Sequence, residues 1–245
     1  MRLGALRFMT AGFSAAALLL SSPISRAQLE PVVQTGSRIA VKPVKFDPVT
    51  AGAMRKEFGR CLLHLQSDVS TAIMNHSDPL KVDWEAVGIK PKKFSTQSSV
   101  KRCVGLGNGS QWNFGITVSD SAFRAVLLEE SYLLHSPAAP SLPEGAQEQT
   151  GRRYVSTGDD LPRAQGLGQF ADCIAFKDTQ HADALVRTKP ATKDEQAAAQ
   201  ALVPILGVCL VQGQTLSMTP ANIRALAADG LWTRYVRSST IAQGK

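Results

Sequence analysis

An arginine, an acidic residue and an aromatic residue recur with the same spacing in two segments of the chain. The acid follows the arginine by five positions and the aromatic residue follows the acid by three, which places acid and aromatic on one face of a helix. A charged group kept in both segments could border a pseudo-symmetric binding groove. The ligand-contact candidates are Arg124, Glu129 and Tyr132 in the first segment, and Arg224, Asp229 and Trp232 in the second, 100 positions later.

Two other interpretations of these residues are open. They could form capping or inter-helix ion pairs that the protein needs in order to fold. They could also belong to a hydrolase in which Glu129 or Asp229 works with a neighbouring histidine. An enzyme should keep its polar cluster in a concave pocket in one copy and lose it in the other. The sequence assigns no catalytic residue.

The sequence gives no sign of a metal or cofactor. Its four histidines occupy no H-E-x-x-H or related pattern and no matching positions in the two segments. The glycine-rich stretch GLGNGSQWNFG (105–115) lacks the lysine and the strand–loop–helix context of a phosphate-binding loop. Its Trp112 could contact a ligand, or it could pack onto the core as tryptophan commonly does. We expect no metal site and no cofactor.

Two blocks of sequence repeat in the same order, and they define the helices that must position these candidates. FGRCLLHL (58–65) matches FADCIAFK (170–177) at a shift of 112, and the match extends over about twenty residues. Apolar residues at intervals of three and four place one stripe along an amphipathic helix that runs through 58–73. The sequence therefore predicts an internal duplication.

The second block carries the candidate residues on a helix with a clear start. SDSAFRAVLLEESY (119–132) matches TPANIRALAADGLW (219–232) at a shift of 100. Ser119 and Thr219 are suited to accept hydrogen bonds from the free N–H groups of a first helical turn. Asp120 and Pro220 each suit the first helical position, one through the helix dipole and one through its fixed φ.

The four cysteines predict two disulfides, because Cys173 matches Cys61 and Cys209 matches Cys103. If each unit descends from one ancestral fold, the pairs are Cys61–Cys103 and Cys173–Cys209. Each pair should stabilise the fold by roughly 4 kcal/mol in the chain-entropy model. The chain has no C-x-x-C redox motif and no zinc-like ligand spacing, so a structural role is expected.

We therefore predict a mainly α-helical fold in which two disulfide-bonded multi-helix units pack side by side about a pseudo-twofold axis. In the second unit, Thr192 and Glu195 suggest a capping box, and Pro204 should kink the helix that follows. Short strand candidates are 41–46 and 154–157. The expected segments are a signal peptide (1–27), an extended arm (28–45), the first unit (46–136), a Pro/Gly-rich linker (137–160), the second unit (161–238) and a tail (239–245).

The N-terminus and the charge predict export. Arg2 and Arg7 precede an apolar run, and Ser25 and Ala27 supply the small residues of a cleavage site. Removal of this signal takes three of the 27 basic residues and no acidic one, so the mature chain carries about +4. This mild excess, spread along the chain, does not indicate nucleic acid, and no later stretch could span a membrane. We expect a periplasmic or secreted protein whose partner is an envelope protein or a small ligand.

The complete pattern resembles a group of proteins. Its order is Phe-x-x-Cys-aliphatic, a polar helix, a second cysteine, and a capped helix with Arg-Ala, an acid and an aromatic residue. This pattern covers most of both units and is similar to exported proteins of Gram-negative bacteria for which no activity is established. The resemblance implies a periplasmic or secreted setting and transfers no catalytic residue. A non-catalytic binding protein is the first functional hypothesis and an extracytoplasmic hydrolase is the alternative.

Overall fold

The computed structural model describes residues 46–105, 119–210 and 218–237, and this part of the chain forms helices and no β-strand. The protein is therefore mainly α-helical, as predicted. The helices are α1 (Pro48–Leu65), α2 (Ser67–Asn75), α3 (Trp84–Val87), α4 (Pro91–Thr96), α5 (Ser98–Gly105), α6 (Asp120–His135), α7 (Asp160–Lys177), α8 (Thr179–Arg187), α9 (Lys193–Ala201), α10 (Val203–Cys209) and α11 (Pro220–Leu231). A π-helical turn, Trp232–Arg237, continues α11. The predicted signal peptide, arm and tail and Trp112 lie outside the described residues. Of the strand candidate 41–46, only Phe46 is described, and it is not in a strand.

Capping side chains fix where the long helices begin. Asp47 accepts hydrogen bonds from the backbone N–H groups of Val49 and Thr50 at the start of α1. Ser119 accepts from Ala122 N–H at 3.3 Å, and Thr219 accepts from Asn222 N–H at 3.2 Å. Both predicted caps of α6 and α11 are thus confirmed. They satisfy N–H groups that have no partner inside a helix.

The predicted single helix through 58–73 is wrong, because the chain breaks at Gln66. This residue adopts φ −140° and ψ 44°, which ends α1 and starts α2 in a new direction. The second unit breaks 112 positions later, at Asp178, between α7 and α8. There the Asp178 carboxylate caps α8 by accepting from the N–H of His181. In the first unit the apolar spacing is continuous across the break, so periodicity alone did not reveal it, whereas in the second unit Lys177 and His181 interrupt the apolar stripe.

Both predicted disulfides are present. Cys61 of α1 bonds Cys103 of α5, and Cys173 of α7 bonds Cys209 of α10, so each bridge ties the first helix of a unit to the helix before its last. Four aromatic rings fill the core around the first bridge, with centroid separations of 5.7 to 6.4 Å, whereas the second unit has a mostly aliphatic core. These rings belong to Phe58, Trp84, Phe94 and Phe123.

Glycine permits a close helix crossing at corresponding places in both units. In the first unit Gly59 of α1 lies against Val126 and Glu130 of α6, and a Cβ at Gly59 would lie 2.5 Å from Val126 Cγ1. In the second unit Gly230 of α11 lies against Ala171 of α7, and a Cβ there would collide with the Ala171 carbonyl. Positions 59 and 171 are matched by the repeat, as are 130 and 230. The two crossings therefore bring matching positions together. The glycine lies on the first helix of the pair in one unit and on the second helix in the other.

The middle of the second unit differs from its prediction in two details. Thr192 caps α9 by accepting from Glu195 N–H at 3.3 Å, but the Glu195 carboxylate accepts from Ala191 N–H rather than from the N–H of the cap itself. Pro204 does not kink a continuous helix. It lies in the first turn of a separate helix, α10, where its missing N–H costs no hydrogen bond.

The segment between α6 and α7 holds no helix and folds back onto the units. The strand candidate 154–157 is wrong, because these residues form no strand with any described part of the chain. Instead the N–H groups of Val155 and Ser156 donate to the Asp78 carboxylate at 2.9 and 2.6 Å. Arg234, in the π-helical turn, donates to the carbonyls of Gln147 and Glu148. Hydrogen bonds thus hold this connection at residues 147–148 and again at residues 155–156.

None of the described helices is long and apolar enough to cross a membrane. All described residues fall within one compact unit, Pro43–Lys245.

Candidate functional site

A cleft of about 760 Å³ lies over α6 and α11, where its lining residues extend from Ser121 to Glu129 and from Ala221 to Asp229. Residues from α1, α7, α9 and the loops between α2 and α3 and between α8 and α9 complete its walls. Four of the six charged or aromatic candidates from the sequence line it: Arg124, Glu129, Arg224 and Asp229. The structure therefore brings the two repeated charged pairs together in one concave site.

Arg224 of α11 holds Glu129 of α6 across the cleft floor. Its Nε and Nη2 atoms donate to the two carboxylate oxygens at 3.0 and 3.1 Å, in a bidentate arrangement. The remaining donors reach Thr188, the Val186 carbonyl and the Glu195 carboxylate, at 2.6 to 3.1 Å. Because Arg224 is only 5% exposed, these contacts occupy its guanidinium fully.

A second ion pair runs in the opposite direction, from Arg124 of α6 to Asp229 of α11. Arg124 donates through Nη2 to Asp229 Oδ1 at 2.9 Å and through Nε to the Ser77 hydroxyl at 2.9 Å. The arginine of each unit thus pairs with the acid of the other. A twofold relation between two copies of one unit would produce such a pattern, in which residue i contacts j and j contacts i.

Glu129 and Asp229 are each paired with a second cation, and these two cations do not occupy matching positions in the two units. Glu129 is paired with Lys56 of α1, whereas Asp229 accepts from Arg152 of the connection at 2.7 Å. The repeat matches Lys56 to Gly168 on α7. A Cβ at Gly168 would lie only 3.0 Å from Arg152 Cδ. Tyr154 and Arg152 therefore occupy the space that a side chain at 168 would need. Arg152 gives Asp229 its second cation, as Lys56 does for Glu129.

The second acid cluster is buried and balanced in charge. Arg152 also binds the Asp172 carboxylate through its Nε at 2.8 Å, so two arginines face two aspartates. Burial by itself would raise the pKa of Asp229, but Arg124 and Arg152 outweigh burial and hold that pKa well below its usual range. Asp229 is therefore ionised at neutral pH. It has no proton to donate as a general acid, and its pairing with two guanidinium groups makes it a weak base.

The loop that closes one side of the cleft contains a strained residue. Ala191 has φ 60°, in the left-handed region that alanine rarely adopts. Its N–H donates to Glu195 Oε2 at 2.7 Å, and the neighbouring Pro190 packs so closely on Gly52 that a Cβ there would lie 2.6 Å from Pro190 Cβ. These contacts hold the loop against α1 and over the Arg224 guanidinium.

The two aromatic candidates do not line the cleft. Tyr132 is fully buried and donates to Asp183 Oδ1 at 2.6 Å, and burial raises its pKa far above the usual tyrosine value. Trp232 is 4% exposed and donates through Nε1 to the Ser131 hydroxyl at 3.1 Å. Both belong to the interior beneath the cleft.

Sequence reasoning missed the second cations and their supporting acids. Lys56 lies on a helix with its face inward, but nothing marked it as a partner of Glu129. Glu195 was predicted only as part of a capping box with Thr192. Arg152 lies in a connection with no periodicity, next to an exposed arginine, Arg153. A hint existed in the repeat itself, because a glycine at 168 replaces the lysine at 56.

The described residues contain no group of three or more His, Cys, Asp and Glu side chains arranged to hold a metal ion. No histidine is among the described residues that line the cleft. Glu129 and Asp229 therefore have no imidazole beside them there.

Comparison with protein-family models, with curated proteins and with solved structures finds no match for this chain. The function must accordingly be argued from the site.

Proposed function

We propose that this protein is an exported, non-catalytic binding protein that takes a small ligand into the α6–α11 cleft. The observation that carries the proposal is the cleft itself, which has the volume of a small-molecule site. Its floor is a rigid, charge-balanced network, so the site is preorganised and a ligand need not order it. Two disulfides suit an oxidising compartment, which supports a periplasmic or secreted location.

The same geometry favours binding over hydrolysis. An enzyme would be expected to free one acid for chemistry, whereas Glu129 and Asp229 are each held by two cations. Both copies keep their pairs, which is the outcome expected of a binding or structural module. The reciprocal pairing and the equivalent helix breaks also support the proposed internal duplication, with the cleft on its pseudo-twofold axis.

The test is native mass spectrometry of the protein purified gently from the envelope fraction of its own host. We expect one small molecule bound per chain and a mass that matches the signal-cleaved, doubly oxidised form. Ala225→Phe, which places a ring in the cleft from its α11 wall, should abolish the bound mass. Ala197→Phe on the exposed face of α9 is the matched control and should retain it. Equal loss in both variants, or no bound mass in the wild type, would overturn the proposal.

A further inference from the structure

The cleft carries an excess of positive charge. Its lining contains five cationic and three anionic side chains, so the balance is two positive charges. Because all three acids are paired with buried arginines or with Lys56 on the floor, the excess does not lie there. It lies at the rim, on Arg55 of α1 and Arg163 of α7.

The two rim arginines are available to a ligand. Both are exposed. The Nε atom of Arg55 donates to the Ala51 carbonyl of its own helix at 3.3 Å, which leaves its terminal nitrogens for other acceptors. Among the described residues, no carboxylate lies within ion-pair distance of Arg55 or Arg163. The planar guanidinium matches the two oxygens of a carboxylate or phosphate group.

The N-terminal end of α11 adds to the positive charge of the rim. Ser121 and Ala122 of α6 and Ala221 of α11 line the cleft, so the first turns of both helices face it. The N-terminal end of a helix carries a partial positive charge that favours anions. The first turn of α11 contains no acidic residue to offset this charge. In α6 the carboxylate of Asp120 lies in the first turn and offsets this charge, so only the α11 end reinforces the rim arginines, which are the primary feature.

We propose that the ligand of this cleft is a small oxyanion, a carboxylate or a phosphate, held between Arg55 and Arg163 at the rim. The proposal rests on the function proposed above and names the chemical class of its ligand. The floor contributes shape and rigidity, because its arginines are already engaged by Glu129, Glu195 and Asp229. The rim contributes the charge that selects the ligand.

The experiment is isothermal titration calorimetry of the full mature chain at low ionic strength. The probes are succinate, inorganic phosphate and, as the neutral control, glucose. We expect saturable 1:1 binding of succinate or of phosphate, with no heat from glucose, and the anion that binds identifies the source of the oxygens. Raising the salt concentration should weaken binding, since exposed charges are screened.

Variants separate a defined rim site from general attraction to a basic protein. Arg55→Ala with Arg163→Ala should weaken anion binding by about 10- to 100-fold, as loss of charged hydrogen bonds implies. Lys92→Ala with Lys93→Ala removes the same charge from exposed positions on α4, outside the cleft, and should leave affinity unchanged. Equal weakening in both double variants, or no binding of either anion, would overturn the proposal.

The two proposals can fail separately. If native mass spectrometry shows a neutral ligand that Ala225→Phe displaces, the cleft is a binding site and only the oxyanion inference is wrong. If neither succinate nor phosphate binds and no ligand accompanies the purified protein, both are wrong.

Discussion

Arg224 and Glu129 face each other bidentately between α11 and α6, 95 positions apart in the chain. The pair Arg124 and Asp229 repeats this contact in the opposite direction, 105 positions apart. Each pair alone is an ordinary buried ion pair. Together they join α6 to α11 through matching positions of the two helices.

Removing either repeated arginine should destabilise the protein strongly. Arg124→Ala and Arg224→Ala each leave a buried carboxylate short of one cation, and breaking a buried pair in this way typically costs about 3–5 kcal/mol. Urea denaturation of the purified variants measures this loss. Arg163→Ala on the exposed rim is the control and should change the free energy of unfolding by less than about 0.5 kcal/mol. Normal stability with lost ligand binding would show that the pairs serve binding instead.

A lysine at position 168 should take over the role of Arg152. Arg152→Ala leaves Asp172 and Asp229 short of a cation and should destabilise the fold. Gly168→Lys alone should also destabilise it, because its Cβ would press on Tyr154 and Arg152. The double variant should be more stable than Arg152→Ala, since its lysine matches the position from which Lys56 reaches Glu129. Thermal unfolding of all three variants tests this, and additive losses would refute the proposed equivalence of positions 56 and 168.

Two glycine-to-alanine changes should have opposite effects. Gly230→Ala should destabilise the fold by more than about 2 kcal/mol, because the methyl group meets backbone atoms of α7 that cannot move aside. Gly207→Ala on α10 adds a methyl group to open space and should stabilise it by about 0.5–1 kcal/mol through helix propensity. Urea midpoints compare the two directly. An unchanged urea midpoint for Gly230→Ala would mean that α7 and α11 can move apart without loss of stability.

Stability should decline as the pH falls below about 4. The pKa of Asp229 in the folded protein lies below its unfolded value near 3.8, since Arg124 and Arg152 outweigh the effect of burial. The folded state thus binds a proton less readily than the unfolded state, and the stability gained is present above the unfolded pKa and lost on acidification. Urea unfolding between pH 3 and pH 7 should show this slope.

Asp229→Asn provides the comparison. It should be less stable than the wild type at pH 7, and its stability should depend less steeply on pH below 4. Part of the slope should remain, because Asp78 also has a lowered pKa, through hydrogen bonds that outweigh its burial. Parallel pH curves for variant and wild type would contradict the assignment to Asp229.

The sequence predicted the parts of this structure that depend on local spacing or on the repeat. The caps at Ser119 and Thr219 follow from local chemistry, and the disulfides followed from matching cysteines between units. The repeat also selected the arginines and acids that meet in the cleft. It could not supply their pairing across units, because that depends on how the units dock.

What was missed depends on three-dimensional contacts between distant segments. Gln66 interrupts a helix whose apolar spacing is continuous, since α2 must turn to cover the core beside α6. The Arg152 side chain is buried beside Gly168, which leaves room for it, and two aspartates compensate its charge. Neither the helix break at Gln66 nor the burial of Arg152 can be predicted from the few residues around it.

The connectivity of the two disulfides has a further consequence for biogenesis. The bridges close separate loops of the chain, 42 and 36 residues apart in sequence, and neither loop encloses or threads the other. Cys61 can therefore pair with Cys103 before the residues that follow the first unit are present. A chain delivered from its N-terminus can oxidise in the order of its emergence, and no disulfide has to wait for the last helix or be reshuffled once it arrives.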